Sequence, residues 1–175
     1  MNEIIKAMNE RRSIRKFKPD MPKKEDINQI IEAGLYAANG QAKQAAIIVA
    51  ITNKEIRDKL SAANARIAGA KEGTDPFYGA PVVLVALADK SCVTSVYDAT
   101  LEMGNMMLAA HSLGLGSIWI HRAKQEFEEE EWKQFLKDLG AEGDYEGVGH
   151  CCVGYYEGEY PKAPERKAGR VFRAE

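Results

Sequence analysis

Apolar residues recur along this chain in two rhythms. Ile4, Ile5 and Met8 share one face of a short helix over residues 2–10. Between about Lys24 and Ala38, Ile27, Ile30, Ile31, Leu35 and Ala38 repeat at helical spacing, and Asn39-Gly40 reads as the stop. Ala45–Ile51 is a continuous apolar run, which predicts a buried strand. Asn53 then opens a helix with Ile56, Leu60, Ala63 and Ile67 on one side. Residues 69–79 carry Gly69, Gly73, Asp75-Pro76 and Gly79 and predict a loop. Pro81–Ala88 predicts a second buried strand.

From Ser91 to Leu113 the pattern predicts a long helix, and its second half is apolar almost all round. Between Thr100 and Leu113 its one formal charge is Glu102. Such a helix belongs in an interior, covered either by a second subunit, the reading favoured in a small domain, or as the central core helix of a monomer. Gly114 and Gly116 close it. Ser117–Ile120 predicts a third strand, with His121-Arg122 at its exit. Glu128–Leu139 predicts an amphipathic helix whose inner face is Trp132, Phe135, Leu136 and Leu139, and Gly147–Tyr155 a fourth strand. Residues 156–175 lack periodicity and hold Pro161, Pro164 and Gly169. They predict an arm that is either unstructured or laid on a partner. Strands separated by helices indicate a mixed α/β or α+β layered fold.

At 175 residues the chain fits a single domain, 1–175, with residues 156–175 as its extended C-terminal arm. The N-terminal residues are charged throughout, unlike a secretory signal, and no apolar run is long enough to span a bilayer. Three cysteines, two of them adjacent, suit a reducing cytoplasmic setting and no disulfide framework. A net charge of −2 argues against nucleic acid as a partner.

Positive charge is nevertheless concentrated in Arg11-Arg12-Ser13-Ile14-Arg15-Lys16-Phe17, and again in Arg166-Lys167. Guanidinium forks with a hydroxyl can seat a phosphate. Elsewhere the inventory is bare. No dinucleotide or Walker glycine motif follows the first strand. His150-Cys151-Cys152 lacks a second ligand pair, so it reads as core. His111 reads as a core or interface histidine. A chain with anion-binding groups and no obvious nucleophile, metal cluster or acid–base pair suits an enzyme whose reactive group is a bound cofactor.

Five segments, in order, resemble the FMN-dependent nitroreductase family. Arg11–Phe17 is similar to its opening signature. Ala37-Ala38-Asn39-Gly40-Gln41-Ala42-Lys43-Gln44 stands where the family has Ala-Pro-Ser-Ser-x-Asn-x-Gln. Asp75-Pro76-Phe77-Tyr78-Gly79-Ala80-Pro81 leads into the second strand. Gly114-Leu115-Gly116-Ser117-Ile118-Trp119 resembles Gly-Leu-Gly-Thr-x-Trp, and Arg166-Lys167 falls at the late basic pair.

The resemblance implies an α+β, three-layer fold with a mainly antiparallel sheet flanked by helices. It implies an intertwined homodimer with two FMN sites, each built from both chains. Arg11 and Ser13 would hold the FMN phosphate, with Arg166 and Lys167 completing the clamp, and Arg12 would lie along the ribityl chain. Arg15 and Asn64 would face the pyrimidine edge of the flavin. Gln41 and Gln44 would come from the other subunit, and the backbone of His121-Arg122 would approach N5. The implied activity passes hydride from NADH or NADPH through the flavin to a small, electron-poor acceptor, a nitroaromatic or a quinone, by a ping-pong cycle. A flavin-binding storage or sensing module without efficient turnover is the alternative. This chain departs from the family at Ala42, at Ala45-Ala46 and at His121-Arg122, where Asn, Pro-Trp and Gly-Gly are common.

Overall fold

The computed structural model describes residues 1–175. Its centre is a sheet of β1 (Ala46–Ile51), β2 (Val82–Asp89), β3 (Gly116–Ile120) and β4 (Tyr145–Gly154). The strand order is β1-β2-β4-β3, and every neighbouring pair is antiparallel. This settles the class as α+β. Parallel pairs would need right-handed crossovers, and none is present.

Helices cover both faces, giving three layers. On one side α2 (Lys24–Leu35) and α4 (Ser95–Ser112) bring Ile27, Ile30, Met103, Met106 and Ala110 onto Val82, Leu84 and Ala86 of β2. On the other, α3 (Lys54–Ala68), α5 (Ala123–Glu126) and α6 (Glu130–Asp138) bring Leu60, Ala63, Phe127, Trp132 and Leu136 onto Val83, Val85 and Leu87. The two-residue period of a strand therefore sends alternate β2 side chains into two separate cores. Each buried Val or Leu there is worth about 2 kcal/mol. A further helix, α1 (Glu3–Glu10), rests on α4.

The apolar runs behave differently according to their place in the sheet. β2 is central and buried along nearly its whole length. β1, expected to be buried in the same way, is an edge strand with Ala50 exposed and Ile47 and Ile48 half-covered. Apolar composition alone cannot distinguish a central strand from an edge under a helix. Cys151 and Cys152 are core residues on opposite faces of β4, as their alternation predicts. Burial pushes the Cys151 thiol up to about 12 and raises Cys152 as well.

Three boundaries need correction. α2 ends at Leu35, and Asn39-Gly40 is not its stop. Asn39 instead organises the next turn, its Oδ1 accepting from the Gln44 N–H at 3.1 Å. The helix expected over Glu128–Leu139 is α6, which starts two residues later at Glu130, and a separate short helix, α5 (Ala123–Glu126), precedes it without having been expected. The long helix begins at Ser95, because Ser91–Thr94 form a turn closed by the Ser95 hydroxyl, which donates to the carbonyls of Cys92 within it and of Asp89 at the end of β2.

The glycine-bearing loop at 69–79 is held by a buried charge. Arg57 of α3 donates from Nε to the Ala80 carbonyl at 3.0 Å and forms an ion pair with Asp75. Asp75 also accepts from the Ser61 hydroxyl at 2.6 Å and from the backbone N–H groups of Phe77 and Gly79. Burial pushes the Asp75 carboxyl up, but these donors outweigh it and hold its pKa below the ordinary value.

Much of α4 is not covered by its own chain. Met103, Met106 and Ala110 are buried, while Tyr97 and Leu101 are 71% and 49% exposed. Ile4, Ile5 and Met8 of α1 are exposed too. Beyond Tyr160 the tail has no regular structure and is exposed throughout. No helix is long and apolar enough to cross a membrane.

Candidate functional site

The Arg11–Phe17 stretch leaves α1 and runs along the end of the sheet. Arg11 is the C-cap of α1, with its N–H donating to the Ala7 carbonyl. The chain then turns extended. Ser13 bridges Ser117 of β3, Phe17 bridges Tyr156, and the Ile14 N–H donates to the Ser117 carbonyl at 3.0 Å. Ile14 packs against Gly116, where a Cβ would come within 2.8 Å of its side chain. Apolar Ile14 and Phe17 thus anchor the segment, leaving Arg15 and Lys16 exposed and Arg11, Arg12 and Ser13 half-buried.

The arginines are incompletely satisfied. Arg12 Nη1 donates to the carbonyls of Asn9 and Arg11, at 2.7 and 2.6 Å, but its Nε is buried without a partner. Arg11 Nη1 is also buried with no partner. A buried cationic donor left unmatched is costly, and a phosphate oxygen is a fitting acceptor.

Two residues that sequence reasoning did not assign to the site complete this corner. Tyr160 Oη accepts from the Arg12 N–H at 2.9 Å and lies 3.1 Å from His111 Nδ1 at the end of α4. Burial holds the His111 pKa down, helped by Arg11 and Arg12 and opposed by Glu10. Glu10, Arg12, His111, Leu115, Tyr156 and Tyr160 line a cavity of about 420 Å³. Tyr160 was hidden in a tail with no periodicity, and only its aromatic character among polar neighbours marked it.

Gln41 and Gln44 lie elsewhere. Their loop contains a single 3-10 turn at Gly40–Ala42, and Gln41, Ala42 and Gln44 all have positive φ, at 56°, 55° and 49°. The Gly40 N–H donates to Asp98 Oδ1 at 3.1 Å, and a Cβ on Gly40 would collide with Thr94 at 2.3 Å. The loop is therefore fastened to the start of α4, whereas Arg11 and Arg12 sit by its end. Asp98 and His111 are roughly 20 Å apart along the helix axis, from a rise of ~1.5 Å per residue. One chain does not bring these two groups together.

The remaining residues form a third locus at the exit of β3. Asn64 is buried, and its Nδ2 donates to the His121 carbonyl at 2.8 Å. It is engaged in fixing this turn, and not left free along a cleft. Arg122 has φ 84° and serves as the N-cap of α5. His121 is exposed and Arg122 half-exposed. Arg166 and Lys167 stand exposed in the tail.

Residues 8–155 match the family model described as "Nitroreductase family". The FMN reductase [NAD(P)H] of Bacillus subtilis is 29% identical over 140 residues, covering 67% of this chain and 53% of that protein. The NADPH-flavin oxidoreductase of Vibrio harveyi is 33% identical over 129 residues, covering 69% of this chain and 54% of that protein. The chain therefore spans about half the length of these curated relatives. A nitroreductase from Bacteroides fragilis, solved with bound FMN, superposes over 100% of both chains with a TM-score of 0.89 at 27% identity. A family match over most of the chain and an end-to-end likeness in fold place this chain in the nitroreductase family.

Proposed function

We propose that this protein is an FMN-dependent oxidoreductase that passes hydride from NADH or NADPH to a small, electron-poor acceptor such as a nitroaromatic or a quinone. The observation that carries the reading is the unpartnered Arg11 Nη1, buried within the family's opening signature. A phosphate there would supply the missing acceptor. The likeness to a structure solved with bound FMN, along the whole of both chains, supports the same cofactor.

Bound FMN would supply the two-electron hydride chemistry. The protein binds and orients. Arg11 and Ser13 hold the phosphate, Arg12 lies along the ribityl chain, and Arg166 and Lys167 close over the phosphate. Arg15, exposed and in the same extended segment, faces the pyrimidine edge, where a cation favours added negative charge. The His121-Arg122 backbone faces N5, held in place by Asn64. Gln41 and Gln44, far from Arg11 in their own chain, serve the site of a second copy. The working unit in this reading is a homodimer. Its contact surface is the uncovered apolar side of α1 and α4. NAD(P)H and the acceptor use one opening in turn, a ping-pong order.

The absorbance of the purified protein tests the cofactor, and stopped-flow mixing with NADH and NADPH tests turnover. Protein that stays colourless after incubation with FMN refutes the proposal. A second reading, a flavin-binding module without efficient turnover, draws on the two large side chains at His121-Arg122. Rapid bleaching of the flavin by either nucleotide eliminates it.

A further inference from the structure

The corner where β3 runs into α5 is backed by a buried acid–base pair. His150 of β4 and Glu126 of α5 are both fully buried, with Nε2 2.7 Å from Oε2. The other ring nitrogen, Nδ1, lies 3.2 Å from the carbonyl oxygen of Ile120, the last residue of β3. A carbonyl only accepts, so Nδ1 carries a hydrogen. The carboxyl oxygen and the other imidazole nitrogen are in direct acid–base contact. The carboxylate nevertheless lies off the ring's N–H axis, and neither of its oxygens has an aligned hydrogen-bond partner. Removing such a pair from water is expensive, and well-packed apolar residues usually serve stability as well or better. Stability alone gives no reason for it.

Its location does. Two successive carbonyls of the corner are held from the interior, and the residue after them has a positive φ. His150 holds the Ile120 carbonyl, Asn64 holds the His121 carbonyl at 2.8 Å, and Arg122 has φ 84°. Behind them α5 presses onto β4. At Gly147, beside a register shift in β4, a Cβ would come within 2.2 Å of the Ala123 carbonyl oxygen. The Phe77 ring, 5.1 Å from the imidazole, closes another side. Glu126 anchors the imidazole, and the imidazole anchors the turn.

We infer that Glu126 and His150 are a positioning pair for the backbone of Ile120–Arg122, and that they set how this corner is presented to the flavin. The second half of this statement rests on the proposed function, and the first does not.

The test compares wild type with Glu126→Leu/His150→Leu and with Glu126→Gln. The double variant replaces the pair with apolar volume. In Glu126→Gln the new side-chain amide can still donate to Nε2 of a neutral His150, which leaves Nδ1–H on Ile120. The double variant should fold, show amide exchange at residues 120–123 faster by about tenfold, and reduce its flavin about ten- to a hundredfold more slowly, with FMN affinity within about threefold of wild type. Glu126→Gln should stay close to wild type in all three. The idea is overturned if the double variant matches wild type in exchange and flavin reduction, or if Glu126→Gln is equally impaired. Should the double variant not fold, nitrogen-15 spectra of wild-type His150 decide. A hydrogen on Nδ1 protected from exchange is required, and a bare Nδ1 overturns the proposal. If wild type binds no FMN, the proposed function fails, while amide exchange still tests the positioning role.

Discussion

Arg11 and Arg15 stand four residues apart in one extended segment, yet their surroundings differ. Arg11 is half-buried with an unmatched Nη1, and Arg15 is exposed. In the proposed function Arg11 is a phosphate ligand, so Arg11→Ala should weaken FMN binding by roughly tenfold or more, the weight of one or two charge-assisted hydrogen bonds. Arg15→Ala should bind FMN nearly normally and slow its reduction, or lower its midpoint potential. Equilibrium titration and stopped-flow reduction separate the two. Equal losses of binding in both variants would contradict the division of roles.

Glu102 makes a different case at the same scale. It is buried on α4 with Oε2 unpartnered, and burial, then the nearby Asp98, push its pKa up to about 7. The folded state holds this proton more tightly than the unfolded chain does. Its contribution to stability is therefore complete below about 4.5 and is lost as pH rises through about 7. Glu102→Gln should stabilise the protein at pH 8 by about 2 kcal/mol and change little at pH 4.5. Thermal melts at the two pH values check this. A variant with no advantage at pH 8 would mean that Glu102 meets a cation in the native assembly.

At the scale of elements, the loop at 69–79 shows how one side chain can stand in for a missing periodicity. Four donors converge on Asp75, the buried Arg57 among them. Asp75→Ala leaves the buried Arg57 with only the half-exposed Asp58 as its anion and should cost about 2 kcal/mol, most of which Arg57→Leu in the same background should restore. A double-mutant cycle in denaturant measures it, and additive costs would count against the pairing. The strands and most helices were legible because burial imposes a period on the sequence. The apolar runs located all four strands to within two residues, and the antiparallel class followed from the resemblance. Local polar groups decide where elements stop, and these were not legible. The end of α2 depends on how Asn39 and Asp98 hold the next turn, and the break between α5 and α6 on Phe127 entering the core. Arg11–Phe17 could be found from sequence because charge and order mark it. Tyr160 and the Glu126–His150 pair could not, because only long-range packing brings them to their partners.

Across the whole molecule, the uncovered surfaces and the separated site residues favour the same arrangement. Leu101 and Tyr97 on α4 and Ile4, Ile5 and Met8 on α1 are large apolar side chains left exposed by their own chain, and such side chains gathered on one face mark an interaction surface. Arg11 and Gln41 are fastened to opposite ends of α4, so a site using both must draw them from two chains. The tail is exposed beyond Tyr160, and Arg166 and Lys167 stand exposed within it. In the proposed homodimer each of these features finds its place. Leu101→Glu should then convert the protein to monomer in sedimentation experiments and abolish FMN binding as well, although Leu101 itself touches no phosphate ligand. A chain ending at Pro161 keeps Tyr160 on His111 and both apolar faces. It should remain associated more firmly than Leu101→Glu, while its affinity for FMN falls by at least about tenfold from the loss of the arm's cations. If Leu101→Glu becomes monomeric and still binds FMN as tightly as wild type, each site is built from one chain, and the distance along α4 has to be spanned in some other way.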